Sequence, residues 1–116
     1  MKILIAGGAG FIGSNLCAYH IAKRHEVYAI DNLITGKRDN IKKLLASQNF
    51  HFFENDIVTF DFSVFPKFDV VYHLASPASP LQYKKYPLET LLVNSLGTHK
   101  LLEFTKNSYS QVFVLA

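Results

Sequence analysis

Ile3-Leu4-Ile5-Ala6-Gly7-Gly8-Ala9-Gly10-Phe11-Ile12-Gly13 is the stretch that decides the fold. Its first four residues form a continuous apolar run, the pattern of a parallel strand buried on both faces. Gly7, Gly10 and Gly13 follow directly as G-x-x-G-x-x-G, and residues 11–23 read as the helix they open. This is a variant of the dinucleotide-binding fingerprint. Glycine serves three needs there: a tight turn, close approach of backbone to a pyrophosphate, and close packing of helix on strand. The helix start adds free N–H groups and a partial positive charge.

Glycines also serve ordinary turns, so the motif needs context. Four more short apolar runs supply it: Val27–Ile30, Phe50–Phe53, Val70–Leu74 and Val112–Leu115. Between them the spacing predicts a helix over 39–47 with Asp39 at its cap. A long helix over 87–106 follows, with Pro87 in its first turn and Leu88, Leu91, Leu92 and Leu96 on an apolar face. Residues 56–67 read as a loop with one turn of helix. Strands alternating with helices make βαβ units, hence an α/β fold with a parallel sheet and right-handed crossovers. Asp31 ends the second run, 18 residues after Gly13. A carboxylate there accepts hydrogen bonds from both adenosine ribose hydroxyls and repels a 2′-phosphate, which favours NAD over NADP. Lys37 and Arg38 stand close enough in sequence to soften that preference, and Asp31 also reads as a turn residue.

The composition fits one domain, residues 1–116. The chain is 49% apolar and 18% charged, with net charge +3 and no single basic run, so nucleic-acid binding is not expected. One cysteine, Cys17, excludes an internal disulfide, and no Cys/His cluster has metal-ligand spacing. No apolar run reaches the roughly 18 residues of a membrane span. A soluble cytoplasmic protein without a metal is the expectation. His73 lies among apolar strand residues with no acid or nucleophile beside it, and reads as a packed, hydrogen-bonded core residue.

Further motifs carry a resemblance. Gly7 to Gly13, Asp31-Asn32-Leu33 with Thr35-Gly36, Asp56-Ile57 and His73-Leu74-Ala75-Ser76 resemble the extended short-chain dehydrogenase/reductase superfamily. Within it, His73-Leu74-Ala75-Ser76-Pro77-Ala78-Ser79-Pro80 with Tyr83, then Pro87-Leu88-Glu89-Thr90-Leu91, Asn94 and Gly97-Thr98, are most similar to UDP-glucuronate decarboxylases. dTDP-glucose 4,6-dehydratases and UDP-sugar 4-epimerases share the earlier motifs. The resemblance implies a Rossmann-like doubly wound sheet of about five strands, in the order 3-2-1-4-5. It implies NAD as cofactor, with Gly7, Gly10, Phe11, Ile12 and Gly13 around the pyrophosphate and Asp31 and Asn32 on the adenosine ribose. Asp56 and Ile57 would then contact the adenine edge, and Leu74, Ala75 and Ser76 the middle of the cofactor. Pro77 and Tyr83 fall on the side of a UDP-sugar substrate. Each has a plainer reading too: Asp56 as a turn cap, Pro77 and Pro80 as loop stiffeners, Tyr83 as a half-buried aromatic. Close packing on the sheet explains Asn94, Gly97, Thr98 and Leu101 equally well.

The chain departs from that family in one respect. The family's base is a Tyr in Tyr-x-x-x-Lys, whose Lys lowers the Tyr pKa. Tyr83 has Pro87 where the motif needs Lys, and the Tyr19/Lys23 pair falls on the first helix. The resemblance therefore implies that the catalytic residues and the sugar-binding domain lie beyond Ala116. The chain then reads as a piece of a longer enzyme or as an inactive nucleotide-binding module. It also implies an open fifth strand, and with it a homodimer or other self-association.

Overall fold

A computed structural model describes all 116 residues, Met1–Ala116. Five strands form one parallel sheet: β1 (Lys2–Ala6), β2 (Glu26–Asp31), β3 (Phe50–Glu54), β4 (Val70–His73) and β5 (Val112–Leu115). Their order is β3-β2-β1-β4-β5, as expected. β1 is central, with Ile5 beside Ala29 of β2 on one edge and Tyr72 of β4 on the other. Alternate residues of each strand face opposite sides, so the sheet has two apolar faces. Ile3, Ile5, Val27 and Ala29 pack with Cys17 of helix α1 (Phe11–Ala22) and with Ile41. Leu4, Ala6, Ile30 and Val71 pack on the other side with Leu101 and the aromatic residues Phe62, Phe65 and Phe68. Cys17 is fully buried, and burial pushes its thiol up to about 12, which makes it an inert core residue.

The helices beyond α1 differ from the expectation in three places. Residues 39–47 are not a helix but two short 3₁₀ turns, Arg38–Asn40 and Leu44–Ala46. The segment is tied to the glycine loop instead: the Lys37 N–H and Asn40 Nδ2 both donate to the Ala9 carbonyl, at 3.1 and 2.8 Å. Asp39 caps nothing, since Lys37 occupies the position before the first turn and makes no side-chain bond there. Residues 80–85, read as loop, form helix α2 (Pro80–Lys85), whose start is capped by Ser79 Oγ accepting from the Gln82 N–H. The long helix is broken into α3 (Pro87–Leu92), a wide π-helical turn (Val93–Gly97) and α4 (Thr98–Asn107). The loop over 56–67 carries its single turn at Phe62–Val64, capped by Asp61. Lys100 of α4 ties that loop to the helix by donating to the carbonyls of Val58 and Phe60. No helix is long and apolar enough to cross a membrane.

Candidate nucleotide-binding cleft

The carboxyl ends of β1 to β4 converge on one cleft of about 130 Å³. Open α/β sheets bind ligands at this edge, where the strand order reverses. Here the reversal falls between β1 and β4.

From β1 the cleft receives Gly7 and Gly10. Gly7 has φ +86°, and a Cβ on it would come within 2.6 Å of the Leu74 carbonyl carbon and oxygen. The turn therefore excludes any side chain, both by conformation and by contact with the loop after β4. A Cβ on Gly13 would overlap the Gly7 carbonyl, so this glycine lets α1 start tight against the loop. No side chain caps α1. The N–H groups of Phe11, Ile12 and Gly13 find no acceptor in the chain. Three free donors and the positive end of a 12-residue helix suit an anionic group. Phe11 and Ile12 are exposed at the head of α1 rather than lining the cleft.

From β2 come Asp31 and Asn32, joined by Ile34 and Thr35. Asp31 Oδ2 accepts from the Ala9 N–H at 2.9 Å, and Oδ1 from the Leu33 N–H at 2.8 Å. The carboxylate is thus buried and fixed, while each oxygen keeps a further lone pair for a ligand hydroxyl. The turn reading and the ligand reading of Asp31 are compatible. Arg38 is engaged elsewhere, 3.6 Å from Glu54 and over the Phe52 ring. β3 delivers Asn55, Asp56, Ile57 and Val58. Asp56 Oδ1 accepts from the Val58 N–H and so does cap the turn. β4 delivers Leu74, Ala75, Ser76 and Pro77.

Glu89 and Leu92 of α3, with Val93, close the remaining wall. Sequence reasoning did not assign these three to the site: Leu92 reads as part of an apolar helix face, Glu89 enters only within a motif, and Val93 not at all. Asn55 and Thr35 were also missed as lining residues. Asn55 had a readable signal, since it follows β3 as Asn32 follows β2. Tyr83 lies in α2, partly exposed, and does not line the cleft.

His73 is the packed core residue expected from sequence. It is 1% exposed, and its Nε2 lies 3.2 Å from the Val93 carbonyl oxygen and 2.9 Å from Thr98 Oγ1. Burial holds its pKa below the usual histidine value. Asn94 Nδ2 donates to Ser76 Oγ at 2.8 Å.

The donor set fits a dinucleotide: free helix N–H groups, a glycine turn with no room for a Cβ at Gly7 or Gly13, and a fixed acid at the end of β2. Residues 3–116 match the model of the NAD dependent epimerase/dehydratase family. The chain is 40% identical over 105 residues to UDP-glucuronic acid decarboxylase 1 of Danio rerio, covering 90% of this chain and 24% of that protein. It is 37% identical to UDP-glucuronic acid decarboxylase 6 of Arabidopsis thaliana, covering 98% of this chain and 33% of that one. Among solved structures, a Thermus thermophilus UDP-glucose 4-epimerase in complex with NAD superposes with a TM-score of 0.76 at 34% identity, over 97% of this chain and 36% of the epimerase. The chain thus spans about a quarter to a third of the length of the curated relatives it matches. With fold, cleft and sequence in agreement, this chain belongs to the NAD dependent epimerase/dehydratase family.

Proposed function

We propose that these residues are the NAD-binding part of a nucleotide-sugar decarboxylase that converts UDP-glucuronate to UDP-xylose. Bound NAD supplies a transient hydride acceptor for C4 of the sugar, which makes loss of the carboxylate as CO2 possible. The chain's own residues bind and orient. The free N–H groups of Phe11, Ile12 and Gly13 hold the pyrophosphate against Gly7 and Gly10. Asp31 and Asn32 accept from the adenosine ribose, and the charge of Asp31 disfavours a 2′-phosphate. Asp56 and Ile57 border the adenine, Leu74, Ala75 and Ser76 the middle of the cofactor, and Pro77 and Tyr83 the sugar side.

The observation that carries the cofactor reading is the cleft itself, where Gly10 at the uncapped N-terminus of α1 and the fixed Asp31 carboxylate line one cavity. The choice of decarboxylase rests on the Ser76-Pro77-Ala78-Ser79-Pro80 run and on the relatives of that name. The test is to incubate the complete gene product containing residues 1–116 with UDP-glucuronate and NAD, following CO2 and the sugar nucleotides by NMR. UDP-xylose with stoichiometric CO2 is expected. A C4-epimerised UDP-sugar with no CO2, or conversion of dTDP-glucose to its 4-keto-6-deoxy product instead, would replace this reading with that of an epimerase or dehydratase.

A further inference from the structure

The π-helical turn between α3 and α4, Val93-Asn94-Ser95-Leu96-Gly97, contains no proline. Its own side chains loosen the ladder, Asn94 Nδ2 donating to the Thr90 carbonyl and Ser95 Oγ to the Leu91 carbonyl, a back-bonding that bends helices. π turns are rare, and they appear frequently at functional sites. This one is gripped from outside. His73 Nε2 reaches the carbonyl of Val93, the first residue of the turn, and the hydroxyl of Thr98, the residue just past it. A carbonyl can only accept, so Nε2 carries the proton and Nδ1 is the bare lone pair. Nδ1 is buried with no partner. A buried ring with an unsatisfied atom is disfavoured, so its place here is sustained by what Nε2 does.

The turn in turn touches the cleft at three points. Val93 lines it directly. Asn94 Nδ2 bonds Ser76 Oγ, which fixes a cleft residue on the loop after β4. Gly97 lies against Ile57, whose Cδ1 would stand 2.8 Å from a Cβ added at Gly97. Ile57 lines the cleft from β3. One wide turn therefore sets walls contributed by two different strands, and His73 brackets that turn.

We propose that His73 is a positioning residue for the nucleotide cleft: its Nε2–H holds Val93 and Thr98 at either end of the π-helical turn, and the turn seats Asn94 on Ser76 and Gly97 on Ile57. The part of this that concerns affinity rests on the cofactor reading above. The part that concerns the turn does not.

Three substitutions separate this role from simple core packing. Glutamine can place an N–H donor where histidine Nε2 sits, asparagine can place one only near Nδ1, and leucine has none. Two readouts are taken on the full chain: amide hydrogen exchange over residues 93–98 without cofactor, and NAD affinity by calorimetry. For H73L and H73N, exchange over the turn should accelerate about tenfold and NAD binding should weaken about tenfold, the loss of one buried hydrogen bond. H73Q should stay within about threefold of the parent in both, on the same scale. A cooperatively folded H73L with unchanged exchange and affinity would overturn the proposal, and so would H73Q behaving like H73N. If H73L does not fold, T98V removes the hydroxyl partner at lower cost and should shift exchange in the same direction; no shift would equally overturn it. A parent chain that binds no NAD would sink the cofactor reading, while the exchange readout still judges His73.

Discussion

Asp31 is held by the backbone of its own loop before any ligand is considered. Both carboxylate oxygens accept N–H groups, from Ala9 and Leu33. Asp31→Ala should therefore lower stability without cofactor by about 1–3 kcal/mol, because one buried and one partly buried donor lose their partner, as well as weaken NAD binding. Urea melts of both proteins would show it; equal midpoints would mean the loop does not depend on Asp31. Gly7 makes a sharper case. With φ +86° and Leu74 backbone atoms 2.6 Å from a would-be Cβ, Gly7→Ala should cost about 2–5 kcal/mol from backbone strain and overpacking together. A Gly7→Ala protein as stable as the parent would show that the turn and the β4 loop are free to separate. His20 governs a pH response. Its Nδ1 meets His25 Nδ1 at 3.0 Å and its Nε2 meets the Tyr72 hydroxyl at 3.1 Å. Burial first, then the neighbouring His25 and the N-terminal amino group, push its pKa below the ordinary 6.5; His73 is lowered in the same direction by burial. The unfolded chain then takes up protons first as the pH falls. Stability should be level above about pH 6.5 and decline as acid drives protonation below it, well before the carboxylates titrate. Melting temperatures from pH 8 to 5 would check this, and a melting point that rises toward pH 5 would contradict it. His20→Gln should flatten part of the slope.

At the scale of elements, strands were readable and helix interruptions were not. Ile3–Ala6 and its fellows are short and apolar, so their composition alone identifies them, although only β1 is buried along the whole of that run and β5 is largely exposed. The sequence order of glycine loop and acid also made the cleft legible, because strand ends in this topology converge by necessity. What escaped depended on distant partners. Ile41, Leu44 and Leu45 have helical spacing, yet the Ala9 carbonyl draws Lys37 and Asn40 into a different path. The π-helical turn is bracketed by His73, twenty residues before Val93. α2 was the exception, since Ser79 before Pro80 is a visible cap signal, masked by reading two nearby prolines as loop. β5 carries a further consequence. It pairs with β4 alone, and Val112 and Leu115 are 47% and 57% exposed. An open apolar edge is a template for another strand. A polypeptide of these 116 residues should associate with rising concentration in sedimentation experiments, and Val114→Lys should reduce the association. A chain that stays monomeric throughout would show that this edge is quiet.

For the whole molecule, five strands carry one cleft at their carboxyl ends, and no Tyr-x-x-x-Lys pair lines it. Tyr83 stands outside the cleft lining, and Lys23 lies over the Tyr19 ring on α1 rather than near the cavity. The 116-residue polypeptide should thus release no CO2 from UDP-glucuronate in the presence of NAD. Turnover by the purified polypeptide, abolished by a substitution within it, would return attention to Tyr83. The central claim is narrower than any reaction: the cleft at the carboxyl ends of β1 to β4 is built for NAD. Titration calorimetry of the folded chain with NAD and, separately, with NADP tests it most directly. The account predicts saturable binding of NAD at one site, weaker binding of NADP, and a loss of about 1–3 kcal/mol in NAD affinity for Asp31→Ala. A cooperatively folded chain that takes up no NAD, or binds NADP equally well or better, would contradict it.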